Sequence, residues 1–222
     1  MTPPGLVIFD CDGVLVDSEP ISMRELTRAL TSIGGMLDEE AVHATFSGMA
    51  LVDIERGIAA HLGRPAPEGW LDAWLTSRAA AFERELQPVP GAAEAVRAVR
   101  ALGYETCVGS QGRMEKMDQT LRVTGLADLF PRERIFSGTM VEHGKPAPDL
   151  YLLAAATCGF APEACVVVED SPTGVAAGLA AEMRVLGYVA DSAGEEAAER
   201  LAKLGAEVFH DMRQVPELIA AG

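Results

Sequence analysis

Positive charge is scarce in this chain: 18 Lys and Arg stand against 33 Asp and Glu in 222 residues, a formal net charge of −15. That argues against nucleic acid as a partner, because a phosphate backbone is held by clustered Lys and Arg that displace its counterions. It argues equally against anionic membrane surfaces. A small anionic substrate stays open, provided cations are concentrated in one place. No apolar run approaches the ~18 residues of a membrane span. The opening "MTPPGLVIFD" has neither a basic head nor a long apolar stretch, so no signal peptide is expected. The four cysteines (Cys11, Cys107, Cys158, Cys165) lack metal-type spacing, and Cys107 and Cys165 lie in apolar runs where a buried thiol acts as a small hydrophobe. The expectation is a reduced, cytoplasmic protein. There is no internal repeat and no low-complexity tract.

What is present is a regular alternation. With 49% hydrophobic residues the chain can bury a sizeable core. Short β-rich runs recur at 6–9, 104–109, 134–138, 165–169, 184–188 and 207–210, and between most of them lie segments of helical spacing at 91–102, 113–124, 149–158 and 172–182. Strands alternating with helices predict a parallel sheet covered on both faces, with ligands bound outside the carboxyl ends of its strands. One interval breaks the pattern: from about Pro20 to Leu86 there are only helix-like stretches, punctuated by "IGG", "SGM" and "GRPAPEG". The chain returns through the Pro-rich "QPVPG", so the crossings near 16–19 and 87–90 are expected to form a hinge. The expected division is a core of 1–16 and 88–222 with a helical insertion of 17–87.

The strand ends carry the chemistry. In "FDCDGVLVDSE", Asp10 and Asp12 are two apart and would share one side of an extended segment, with Cys11 facing away and Gly13 allowing a sharp turn. Two carboxylates at the end of a buried strand repel each other, so something positive must meet them. A second acidic pair, Glu169 and Asp170, ends "CVVVED", where Ser171 reads as a helix N-cap and Pro172 as the first helical residue. Two acidic clusters at strand ends of one sheet suggest a hard divalent cation, and Mg²⁺ suits oxygen ligands and phosphate chemistry. Ser110 closes "CVGS" ahead of turn-forming residues, and Lys145 in "EHGKPAPDLY" follows a third strand, where its charge could offset the carboxylates and bind phosphoryl oxygens. Asp149 reads as an N-cap.

In order along the chain, "DCDGVLVDSE", the Ser110 loop, "GKPAPDLY" and "VVVEDSPTG" resemble the four motifs of the haloacid dehalogenase superfamily. The first, third and fourth resemble its subfamily of small phosphatases and β-phosphoglucomutases with a helical cap after the first motif. The resemblance covers essentially the whole chain. It implies an α/β fold: a doubly wound, Rossmann-like parallel-sheet core with an inserted all-helical cap domain. It also implies Asp10 as nucleophile forming an aspartyl-phosphate, and Asp12 as the acid and then base. Mg²⁺ would be held by the Asp10 carboxylate, the Asp12 carbonyl and Asp170, with Glu169 a ligand or water-bridged neighbour. Ser110, Gln111 and Lys145 would hold phosphate and substrate. Gln111 stands where the family often has Asn, and Glu182 where it often has Gly.

The resemblance implies a phosphatase for a small phosphorylated metabolite, a sugar or sugar-acid phosphate. The alternative is a β-phosphoglucomutase-type isomerase, whose cap supplies a His and a "G-x-S-R" loop; the corresponding places here read Ser22 and "GMAL" (48–51), which favours hydrolysis. A dehalogenase needs neither Asp12 nor Mg²⁺. A phosphoreceiver domain is shorter and lacks the insertion. Neither the substrate nor the oligomeric state is readable, a monomer being compatible with the sequence. Of the weaker candidates, His43, His61, His143 and His210 are dispersed, with His143 read as a solvated loop residue. Trp70 and Trp74 are read as core of the helical insertion, Arg113 and Lys116 as a solvated helix face, and Cys11 as packed.

Overall fold

The computed structural model describes residues 4–49 and 51–221. The chain divides into two compact units, Met1–Asp17 with Pro88–Gly222, and Ser18–Gln87. In the first unit β1 (Leu6–Phe9) is followed, after the excursion through the second, by α5 (Ala92–Ala101), β2 (Glu105–Ser110), α6 (Met114–Val123), β3 (Ile135–Ser137), α7 (Asp149–Cys158), β4 (Cys165–Glu169), α8 (Pro172–Ala180), β5 (Arg184–Tyr188), α9 (Glu195–Leu204), β6 (Glu207–Phe209) and α10 (Val215–Ala221). The second unit holds α1 (Glu19–Ser32), α2 (Glu39–Phe46), α3 (Leu51–Leu62) and α4 (Trp70–Glu85).

All six strands are parallel, in the order β3-β2-β1-β4-β5-β6. The central strand "LVIF" is buried at every residue, the continuous apolar reading of a parallel strand covered on both sides. It pairs with β2 through Leu6↔Glu105 to Phe9↔Val108 and with β4 through Leu6↔Cys165 to Phe9↔Val168. Strand order reverses here, which opens a crevice at the carboxyl ends of β1 and β4. One face packs Ile8, Cys107 and Val167 against Leu150, Tyr151 and Ala154 of α7 and Val175 of α8. On α5, Ala92, Ala95, Val96 and Val99 are buried at helical spacing, so this helix presents one apolar stripe.

The strands at 6–9, 165–169 and 184–188 lie where the sequence predicts them. The expected strand at 134–138 is cut to three residues because the chain winds into 3₁₀ turns on both sides, at Arg132–Arg134 and Gly138–Met140. The strand expected to end at residue 109 runs on to Ser110, which pairs with Ser137.

Within the helical unit, Leu26, Leu30, Val42, Phe46, Ile54, Ile58, Trp70 and Trp74 form one core. The two indoles stack with centroids 6.0 Å apart, and Trp70 donates to the Ala29 carbonyl at 2.8 Å. The tryptophans are thus core residues, as their spacing implies. In the sheet unit the chain on either side of the excursion is paired with itself: Val16 bridges Pro88 in antiparallel sense and the Val89 N–H donates to Leu15 O at 3.0 Å. Among the described residues no helix is long and apolar enough to cross a membrane.

Candidate active site

Asp10 is the first residue beyond β1, and its N–H still donates to Val168 O at 2.9 Å, so the sheet ladder fixes it at the carboxyl edge. Only 6% of the residue is exposed. Its Oδ1 lies 2.6 Å from Lys145 Nζ, and the same ammonium is 2.6 Å from Glu169 Oε1 at the end of β4. The Lys145 side chain is buried, and its ammonium sits 4.9 Å from the centroid of the Tyr151 ring.

Glu169 is surrounded by donors. Oε1 receives Lys145 and the Tyr151 hydroxyl (2.8 Å), while Oε2 receives the N–H groups of Asp170 (3.0 Å) and Ser171 (2.9 Å) and the Ser171 hydroxyl (2.9 Å). Ser171 in turn caps α8 by accepting from the Gly174 N–H at 3.0 Å, with Pro172 opening the helix, as expected. Gly174 is required there because a Cβ would run into the Glu169 carboxylate. Burial alone would raise Glu169, but the Lys145 charge and hydrogen bond, with Ser171 and Tyr151, hold it below the usual carboxylate range. Burial likewise opposes the Lys145 charge, yet Asp10 and Glu169 lift it well above an ordinary lysine. Asp10 is pushed up to about 7, first by burial and further by the charges of Glu169 and Asp12, with Lys145 offsetting only part. The ammonium is thus shared between two carboxylates at equal distance, Glu169 held ionised and Asp10 raised.

Asp12 faces a different cation. Lys116 Nζ in the first turn of α6 donates to Asp12 Oδ1 at 2.8 Å, so Lys116 departs from the solvated role its position suggests. Arg113 beside it is exposed, in keeping with that role. Cys11, between the two aspartates, is buried with its sulfur 3.8 Å from the Thr120 hydroxyl, a packed residue as expected. Ser110 is 1% exposed, and its Oγ accepts from the Gly112 N–H at 3.2 Å. Ser137 at the end of β3 donates to the Gly112 carbonyl at 2.6 Å, tying two strand-end loops together. Gln111 makes a further tie: its Oε1 accepts from the Lys145 backbone N–H at 3.1 Å.

Asp170 lies against Gly13, whose φ is +78° and whose missing Cβ would strike Asp170 Oδ2. Only glycine satisfies both the turn and this close approach. Among the described residues no three His, Cys, Asp or Glu side chains form a ready-made metal cage. The donor set is nevertheless oxygen only, and Mg²⁺ takes one or two carboxylates with carbonyl, water and phosphate oxygens. Asp10, the Asp12 carbonyl and the Asp170 carboxylate seated in the Gly13 cradle fit that demand.

One expectation changes here. Asp149 is the first residue of α7, not its N-cap; Pro148 holds that position and no side-chain cap bond forms. The Asp149 carboxylate instead faces the exposed His143 at 3.5 Å. Glu182 does take a positive φ, +59°, the one non-glycine residue to do so among those described. The sequence does not mark Tyr151 as a site residue, because in "DLYLLAAA" it reads as one more apolar position of α7. The only signal for it was a hydroxyl on a buried face, which normally seeks a partner.

A family model described as haloacid dehalogenase-like hydrolase matches residues 4–182, and the chain belongs to that family. It is therefore an enzyme of the hydrolase class. It is 33% identical over 191 residues to a 6-phosphogluconate phosphatase of Escherichia coli K12, covering 83% of this chain and 82% of the relative. Hexitol phosphatase A of the same organism is 31% identical over 181 residues, covering 81% and 80%. Among solved structures, a hydrolase of the family from Deinococcus radiodurans R1, with bound phosphate and sodium, superposes with a TM-score of 0.80 at 35% identity, covering 100% of this chain and 97% of that one.

Proposed function

We propose that this chain is a Mg²⁺-dependent phosphomonoester hydrolase that acts on a small phosphorylated metabolite, a sugar or sugar-acid phosphate, through an aspartyl-phosphate. The observation that carries the reading is the buried Lys145 ammonium held 2.6 Å from both Asp10 and Glu169. A carboxylate fixed at a strand end beside such a cation is equipped to attack an electrophile bearing negative oxygens. The phosphatase relatives support the substrate class.

An Asp10 oxygen forms a bond to phosphorus as the bond to the ester oxygen breaks, and Asp12 gives that departing oxygen a proton. Asp12 then takes a proton from water. The resulting hydroxide attacks phosphorus, the bond from phosphorus to Asp10 breaks, and inorganic phosphate leaves with the Asp10 carboxylate restored. Ser110 and Lys145 hold the phosphoryl oxygens, so most of the rate comes from positioning and charge. Mg²⁺, held by Asp10, the Asp12 carbonyl and Asp170, would neutralise charge on those oxygens. With five donors on its two oxygens, Glu169 is assigned to anchoring Lys145 and not to the metal. The helical unit is assigned the role of a substrate-selecting cap.

Water, not a sugar hydroxyl, is the proposed acceptor. Ser22 is buried and its hydroxyl donates to Ser18 O at 2.9 Å, while Leu51 is apolar, so neither place offers a cation for a second phosphate. The test is incubation with 6-phosphogluconate, hexitol phosphates and β-glucose 1-phosphate in Mg²⁺, followed by phosphorus NMR. Phosphate should appear stoichiometrically with substrate loss, and Asp10→Asn should abolish it. Glucose 6-phosphate accumulating faster than phosphate would make the mutase reading the better one.

A further inference from the structure

We propose that Lys116 is a positioning residue for Asp12, turning that carboxylate so that one chosen oxygen faces the reacting group. Nζ of Lys116 donates to Asp12 Oδ1 at 2.8 Å across 104 residues of sequence. A Cβ at Gly112 would lie 3.5 Å from Ser110 Oγ and 3.7 Å from both Asp12 Oδ2 and Lys116 Cδ. With Oδ1 bonded to the lysine, Oδ2 borders the same small space as the Ser110 hydroxyl, beside which the phosphoryl group is proposed to be held.

Two physical points argue that this pair is not there for stability. Lys116 stands in the first turn of α6, where the helix dipole disfavours a cation by about 0.3–1 kcal/mol. The side chains of Lys116 and Asp12 are 19% and 30% exposed, and part-exposed ion pairs contribute about 0–1 kcal/mol. The lysine sits where local energetics prefer an acid, in an ion pair that adds little to folding, and its partner is the acid of the reaction. Orientation of Asp12 is what it adds.

The inference rests on the phosphatase reading, and the experiment separates the two. Compare kcat/KM, which covers steps only up to departure of the alcohol, for an alkyl phosphate (6-phosphogluconate or a hexitol phosphate) and for p-nitrophenyl phosphate. Nitrophenolate departs without a proton, whereas an alkoxide needs one from Asp12. Lys116→Met should lower kcat/KM for the alkyl ester at least ~10-fold more than for the aryl ester, part of the ~10²–10⁴-fold that acid–base help supplies. Lys116→Arg should restore part of the difference. In an Asp12→Asn background, Lys116→Met should leave the alkyl-to-aryl ratio unchanged, since a residue acting through another adds nothing once that other is gone. Equal losses on both esters, no loss on either, or an additive effect in the double variant would overturn the inference. Wild-type enzyme that releases phosphate from neither ester would instead overturn the phosphatase reading beneath it. Thermal midpoints accompany each variant; should Lys116→Met fail to fold, Lys116→Gln is read by the same ratio.

Discussion

The phenolic hydroxyl of Tyr151 donates a 2.8 Å hydrogen bond to Oε1 of Glu169, the oxygen that also receives the Lys145 ammonium. A core residue of α7 thereby reaches through the apolar layer to the charged layer above it. Tyr151→Phe keeps the ring and deletes the donor. Bonds to charged groups contribute about 1.5–3 kcal/mol, so a lower melting temperature is expected, with a smaller loss of phosphate release than Lys145→Met causes. A melting temperature equal to wild type would show that the hydroxyl contributes nothing.

Cation binding should depend on the protonation of Asp10. Burial lifts this carboxyl to about 7. Below that pH the carboxyl holds a proton that Mg²⁺ must displace, so affinity should weaken about tenfold per pH unit as pH falls below 7. The same raised value means that the folded state binds the extra proton between about pH 4 and 7, so this group lowers stability as pH rises through that window. Calorimetric titration with Mg²⁺ in buffers of different ionisation enthalpy reads the displaced proton. Affinity that is flat from pH 5.5 to 8 contradicts the assignment.

Cys158, at the end of α7, should be the reactive thiol. A hydrogen bond from Cys107 and the nearby Arg134 lower it to about 6 against the opposing effect of burial, whereas burial pushes Cys11 and Cys107 well up. Alkylation by iodoacetamide, followed by peptide mass spectrometry, should mark Cys158 first. Its rate should rise through pH 6 and level off before the range near 8.5 where an ordinary thiol titrates. A rate still climbing at pH 9 would refute the depressed value.

Glu182→Gly should stabilise the protein. The residue is exposed and held at φ +59°, which costs a residue with a Cβ roughly 1–2 kcal/mol, partly offset by the greater freedom of glycine in the unfolded chain. A net gain near 1 kcal/mol corresponds to a melting temperature about 2–4 °C higher in a domain of this size. A decrease would mean that the glutamate side chain makes a contribution of its own.

How much of this was legible in the sequence depended on range. The runs at 6–9, 165–169 and 184–188 announce themselves because a strand buried on both faces is apolar along its middle, with charge only at its ends. Ser171 and Pro172 read correctly because a cap is a local bond. That Lys145 offsets the carboxylates was readable from charge alone, but the contacts of Tyr151 and Lys116 were not, since each is set by a partner brought in from elsewhere: Glu169 for Tyr151, Asp12 for Lys116. Asp149 misled for the opposite reason. An acid at the start of a helical run is a sound cap signal, but the prolines around it moved the helix start by one residue.

The pairing of Val16 with Pro88 has a further consequence. Because the chain leaves and re-enters the sheet unit at paired points, the two ends of the inserted residues 18–87 are brought together within that unit. Closing a loop costs entropy that grows only as the logarithm of its length, about 0.6 kcal/mol per doubling. The junction is thus a socket: helical modules of other lengths and sequences could be spliced between Asp17 and Pro88, or the module replaced by a short turn, without disturbing strand register. Under the proposed assignment of the helical unit as a substrate-selecting cap, this one antiparallel bridge is where specificity would be exchanged without touching the strand ends.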